Sequence, residues 1–222
     1  MRVIFFNISW MEYYKGIYEG IDEPEGGGEY VKINKDAHEK FNFQPVSLEF
    51  EDDIMPDGDY CLGFVETKST SANKSNQLHI EKIIGCELCV KEEVDDILVV
   101  YCATHPTHKF TTVVGWYQHA TVYRNYMYID FEDGEKETYT QAYNAIAKKD
   151  DCILLPKCER SKVSRWKIPR RNTGASYGFG RANVWYANGA EDNKYLYDFL
   201  KNIVKQIKEY NGENLLEIYP EE

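Results

Sequence analysis

The sequence predicts a mixed α/β domain of the α+β kind: a small, mostly antiparallel β-barrel with helices packed outside it, one of them at the C-terminus. Three observations predict this class. Short runs of β-branched and aromatic residues recur between turns rich in Gly, Pro and Asp. Only one long stretch has helical spacing. The 222 residues, 43% hydrophobic and 28% charged, suffice for one buried core and require no second unit.

Residues 2–8, rich in β-branched and aromatic side chains, are expected to form a buried first strand. Trp10 to Ile17 then offers a short helical turn closed by Gly16. Gly26-Gly27-Gly28 marks a loop that needs positive φ or a close backbone approach, and Tyr30-Val31 resumes an extended segment. Strands are expected at Tyr60–Glu66, Ile97–Ala103, Thr111–Tyr117, Thr121–Ile129, Thr138–Ala145 and Cys152–Leu155, a meander with hairpins. Lys68 to Ser75 reads as a polar loop, and Gln77 to Ile84 is too short for periodicity to decide between strand and helix. Leu196, Phe199, Leu200, Ile203, Val204 and Ile207 recur at helical spacing, and Asn211-Gly212 stops that helix. The domain is therefore expected over residues 1–212, with 213–222 as the start of a linker or tail.

The N-terminus is too short and too polar for a signal peptide, and no apolar run approaches membrane-spanning length. A cytoplasmic, membrane-free protein is expected. Cys61, Cys86, Cys89, Cys102, Cys152 and Cys158 lie mostly in apolar stretches and read as reduced thiols. A net charge of −11 argues against nonspecific wrapping of nucleic acid. The acidity, however, is gathered into runs at 22–25, 49–53, 92–96 and 130–137. Lys157, Arg160, Lys162, Arg165, Lys167, Arg170 and Arg171 crowd one segment opposed only by Glu159, which leaves one basic edge on an acidic protein.

Aromatics stand beside polar, turn-forming residues at Asn7 to Trp10, at Gly115-Trp116-Tyr117 with Tyr123-Arg124, at Trp166, and at Asn183-Val184-Trp185-Tyr186. A planar base stacks on such rings while Asn or backbone groups read its edge; the competing reading is that these are large core residues. Ser176 to Asn183, with Gly178 and Gly180, follows the basic run and suits close approach by a ligand, or else forms a plain hairpin. Its glycine spacing is not that of a dinucleotide fingerprint. Cys86 and Cys89 have zinc-ligand spacing that Cys102, His105 and His108 would complete, but with a single CxxC buried thiols are the better reading and no cofactor is expected. Asp57, Glu66 and Lys68 loosely mimic the set with which nucleases hold Mg2+, against a solvated strand end as the alternative. His38, His79 and His119 stand alone, without a nucleophile-and-base arrangement, and no Walker loop is present.

Ile4 to Trp10, Gly26 to Val31, His38-Glu39, Asn42-Phe43, Val113 to Tyr117 with Ala120 to Arg124, and Asn183 to Ala187 together span nearly the whole chain. This set resembles the N-terminal region of bacterial HNH-type, modification-dependent restriction endonucleases. The strand count, the Gly-Trp-Tyr strand and the early Asn-x-x-Trp further resemble the PUA superfamily, near the EVE and YTH readers of modified bases. The Cys and His signature of an HNH nuclease itself is absent from this sequence. The resemblance implies a PUA-like barrel that receives a flipped, modified base of duplex DNA in an aromatic cage. The nuclease module would then belong to a longer parent protein.

On this reading the base pocket consists of Asn7, Trp10, Tyr30, Trp116, Tyr117, Trp166, Asn183 and Trp185, with the two asparagines reading the base edge. Arg160, Lys162, Arg165, Arg170, Arg171 and Arg181 are the expected phosphate contacts. The chain itself is expected to be non-catalytic. The alternatives are a Mg2+-dependent nuclease using Asp57, Glu66 and Lys68, and a domain that binds RNA or a free nucleotide.

Overall fold

A computed structural model describes residues 2–26, 36–50, 55–67, 77–132 and 138–221. The expected positions Gly27, Gly28, Tyr30, Val31 and Lys68, and the loop to Ser75, lie outside the described residues.

The chain forms one mixed sheet: β1 (Val3–Asn7), β2 (Pro45–Leu48), β3 (Gly58–Gly63), β4 (Glu93–Thr104), β5 (Thr111–Glu132), β6 (Thr138–Lys148), β7 (Cys152–Leu154), β8 (Lys167–Ile168) and β9 (Val184–Trp185). The strand order is β2-β3-β6-β5-β4-β1-β9, with β7 and β8 added along β5. β1 runs parallel to β4, and the other pairings are antiparallel. The α+β class holds, but the sheet is open where a closed barrel was expected. Its edges are β2, which starts at Pro45, and β9, two residues long; both are poor templates for further pairing.

β1 is apolar and buried from Val3 to Phe6 because the sheet is covered on both faces. Ile4 and Phe6 pack with Tyr101, Tyr117 and Phe43 on one face. Val3 and Phe5 pack on the other with Trp116, Trp166 and Trp185, beneath the C-terminal helix. The described residues include three α-helices: α1 (Lys157–Arg160), α2 (Val163–Trp166) and α3 (Lys194–Lys208). α3 buries Leu196, Leu200, Ile203, Val204 and Ile207, each worth about 1.5–3 kcal/mol of transfer free energy. Asn193 caps it by accepting from the Leu196 amide at 3.1 Å.

Four local expectations change. Trp10 to Ile17 is not helical, because the Asp22 carboxylate accepts the Glu12, Tyr13 and Tyr14 amides and holds them in a turn. Thr111–Tyr117 and Thr121–Ile129 are one continuous strand, since His119 (φ 48°) and Asp96 (φ 56°) absorb the break as bulges against β4. Gln77 to Ile84 contains only a 3-10 turn at Ile80–Lys82. The stretch expected to begin a linker is part of the body. Leu215 and Leu216 are buried, and Asn214 bonds Leu154 and Cys152 of β7. The buried Lys15 ammonium donates to the Leu215, Leu216 and Ile218 carbonyls and sits 4.0 Å from the Tyr219 ring centre. Among the described residues no helix is long and apolar enough to cross a membrane.

Candidate nucleic-acid interface

The four indoles do not form an open cage. Trp116 and Trp166 are fully buried, with ring centres 5.6 Å apart and Tyr210 packed against both. They are core residues, because α2 and α3 close over that face of β5. The Trp116 Nε1 has no hydrogen-bond partner among the described residues. Tyr117 is likewise buried, its hydroxyl donating to the Asn42 carbonyl. Trp185 is 7% exposed and stacked on Phe5 at 4.7 Å, with Tyr177, Phe179 and Phe199 around it. Trp10 packs on His105 at 4.9 Å and under Arg160. The cavity at its edge, about 220 Å3, is lined by Glu12, Asp22, Glu23 and Glu25 against Lys157 alone, a field that repels phosphate.

The basic segment divides by direction. Arg160 is fully buried and donates at 2.6 Å to each of the Leu155, Met11 and Glu12 carbonyls, so it is a core staple and no phosphate contact. Lys162 and Arg165 both face the Glu159 carboxylate, and Arg165 also covers the Trp166 ring; α1 and α2 bring these charges together. Arg170 turns inward to Thr111 and Asn7. Lys167, Arg171 and Arg181 remain exposed.

One feature of the expected site does assemble. The Phe179 amide donates to the Pro169 carbonyl and the Arg171 amide to the Phe179 carbonyl, which lays the glycine-rich loop along residues 169–171. Between that loop and the end of β9 lies an open cavity of about 240 Å3. Its walls include Arg171, Gly178, Gly180, Tyr186, Ala187 and Asn188, with Trp185 contributing part of the floor. Gly178 is obligatory: φ is +112°, and a Cβ would stand 2.0 Å from the Pro169 carbonyl oxygen. At Gly180 a Cβ would meet nothing within 4 Å, so its missing side chain leaves room rather than relieving a clash. Ala187 is held at φ 54°, a region that residues with a Cβ seldom adopt. The Tyr186 hydroxyl accepts from the His79 amide at 2.8 Å, and burial pushes its pKa up to about 12, so it stays neutral. Arg171 makes no side-chain hydrogen bond or ion pair among the described residues.

Asn7 and Asn183, expected as base-edge readers, are neighbours mostly through backbone, and neither is among the residues that line this cavity. The Asn7 amide donates to the Asn183 carbonyl at 2.7 Å, and Asn183 Nδ2 reaches the Glu66 carbonyl at 3.3 Å. His38 and Asn42 brace the exit of β3: the His38 ring lies 5.4 Å from that of Phe64, and Asn42 bonds both the amide and the carbonyl of Phe64. Two participants carried no signal in the sequence. Thr111, the partner of Arg170, reads as an ordinary strand residue, and Asn188 beside Gly189 reads as an ordinary turn.

Among the described residues the alternative chemistries are not assembled. Asp57 precedes β3 and Glu66 follows it, so they stand at opposite ends of a six-residue strand that spans roughly 17–20 Å. Cys86 belongs to one core cluster and Cys102 to the cluster on the opposite face of the sheet. Among the described residues no group of three or more His, Cys, Asp or Glu side chains is placed to hold a metal ion. A larger cavity of about 430 Å3 is lined by Asp57, Asp59, Asp150, Lys148 and Lys149, where Lys149 already faces Asp59 and Glu217. The sequence and the fold match no family model, no curated protein and no solved structure.

Proposed function

We propose that this chain is a non-catalytic DNA-binding recognition domain that takes one displaced, modified base into the cavity between the glycine-rich loop and the end of β9. The observation that carries the reading is the exposed Arg171 on the wall of a concave site also lined by Gly178, Gly180, Trp185, Tyr186 and Asn188. A cavity of about 240 Å3 lies below the roughly 300–1,000 Å3 typical of drug-sized ligands, which favours one ring system over a dinucleotide. Flipping a base costs a few kcal/mol. Contact with Tyr186, edge bonds to loop backbone and phosphate contacts from Lys167, Arg171 and Arg181 offset that cost. On its resemblance to the endonuclease-linked region, the domain is the specificity part of a restriction or defence nuclease whose cutting is done by another module.

The test uses duplexes identical except for one base modification, titrated against wild type and Gly180→Leu. Gly180 lines the cavity and a Cβ there meets nothing within 4 Å, so leucine is expected to occupy part of that space without a backbone clash. Wild type is expected to prefer the modified duplex about tenfold or more, the worth of ~1.4 kcal/mol, and Gly180→Leu to lose that preference while melting normally. Equal wild-type affinity for both duplexes at moderate salt removes the reader assignment. Protection by RNA or a free nucleotide alone transfers the cavity to that ligand.

A further inference from the structure

A second feature of the basic segment is separate from the cavity. Arg170 has extended backbone (φ −128°, ψ 136°) and points to the side of the chain opposite Arg171, at the end of the parallel pair β1 and β4. Its Nε donates to Thr111 Oγ1 and its Nη2 to Asn7 Oδ1, and its plane lies 5.4 Å from the Phe179 ring centre. All three partners are neutral, and so is the Cys102 thiol, whose pKa burial pushes far up. No carboxylate forms an ion pair with this half-buried guanidinium among the described residues. A guanidinium carries five N–H donors in a fixed fork, and Nη1 has no partner among the described residues. Burial accordingly lowers the Arg170 pKa.

Taking a cation partly out of water without a counter-charge is unfavourable. The side chain is nevertheless held at two points and against a ring, so it is not simply extended into solvent. The arrangement is preorganised for two-point recognition of a tetrahedral oxyanion, with Thr111 and Asn7 fixing the fork.

We propose that Arg170, oriented by Asn7 and Thr111, forms an anion site for a phosphoryl group, either free phosphate or one carried by a nucleotide. The proposal does not depend on the cavity beside Arg171, and a failure of base discrimination leaves it standing.

Wild type and Arg170→Met are melted in chloride and in inorganic phosphate at matched pH and ionic strength, and again in chloride with a nucleoside 5′-monophosphate. Phosphate strengthens folding generally by exclusion from the surface, so the decisive quantity is the difference between the two proteins. At about tenfold excess over the dissociation constant, wild type is expected to gain about 3–6 °C beyond Arg170→Met. Stabilisation by phosphate alone marks a free-oxyanion site, and stabilisation by the nucleotide alone marks a phosphoryl group carried by a nucleotide; both support the proposal. Equal shifts in the two proteins, or no wild-type shift with either ligand, overturn it. If Arg170→Met does not fold, Thr111→Val takes its place. That change removes one anchor of the fork and is expected to reduce the shift several-fold; an unchanged shift counts against the site.

Discussion

Replacing Arg160 with Met tests whether a residue of the basic run belongs to the core or to an interface. The guanidinium is fully buried and donates at 2.6 Å to the carbonyls of Leu155, Met11 and Glu12, and it lies over the rings of Trp10 and Tyr14. Burial lowers its pKa, while Tyr14, Glu12 and Asp22 favour the charged form. Methionine fills much of the same volume but leaves three carbonyls without donors, at about 1–3 kcal/mol each. Relief from burying a cation offsets part of this, so the net loss is about 3–5 kcal/mol, the range found when one side of a buried charged contact is removed. For a domain of this size that lowers the melting midpoint by about 6–20 °C. Urea unfolding followed by fluorescence of the four tryptophans measures it, with the slope expected to stay constant. A loss under about 1 kcal/mol, together with a drop in DNA affinity, would refute the argument and return Arg160 to the surface.

Three further outcomes follow from the structure. Glu81 is pushed up by burial, yet the Arg124 and His79 hydrogen bonds at 2.6 and 2.9 Å bring its pKa down to about 2. Its stabilisation is therefore complete above the ordinary carboxylate pKa of 4.5 and is lost as pH falls through about 2. With 34% of the side chain exposed, the screened effect is about 1 kcal/mol, and the gap in stability between wild type and Glu81→Gln should close across that window in acid titrations of unfolding. Ending the chain at Gly212 removes Leu215 and Leu216 from the core and should cost about 3–6 kcal/mol, whereas a true linker would cost nothing in the same urea experiment. Finally, with Lys167, Arg171 and Arg181 as the phosphate contacts, the logarithm of DNA affinity should fall against the logarithm of salt with a slope of about −2.7; six contacts would give about −5.4.

How much was legible in the sequence depended on whether a pattern was local. α3 could be read because its buried residues repeat at one helical period, and β1 because seven residues admit little else. The continuity of β5 could not be read, since it turns on His119 tolerating a positive φ opposite Asp96, which no residue type announces. The Trp10–Ile17 turn failed for a different reason: the competing acceptor, Asp22, lies beyond the segment it captures. For the cavity, a glycine-rich loop behind a basic run was the local cue, since Arg171, Gly178 and Gly180 all line it. Tryptophan beside asparagine was not, because the same pair serves a core equally well and only the position of α2 and α3 decides which indoles are buried.

Arg160 and Arg170 show where such reading ends. They lie ten residues apart in one basic run, and both turn inward. What separates them is the supply of acceptors. Three backbone carbonyls surround Arg160, with Glu12 and Asp22 close enough to favour its charge, so its demand is met within the fold and its removal is felt as lost stability. Arg170 has a threonine hydroxyl, an amide oxygen and a phenyl ring, which orient the guanidinium without neutralising it. An inward cation whose charge is balanced is a staple; one that is oriented but unbalanced has a use for an anion. The distinction lies in partners 59 and 163 positions away along the chain, and for that reason it emerges only once the strands are in register.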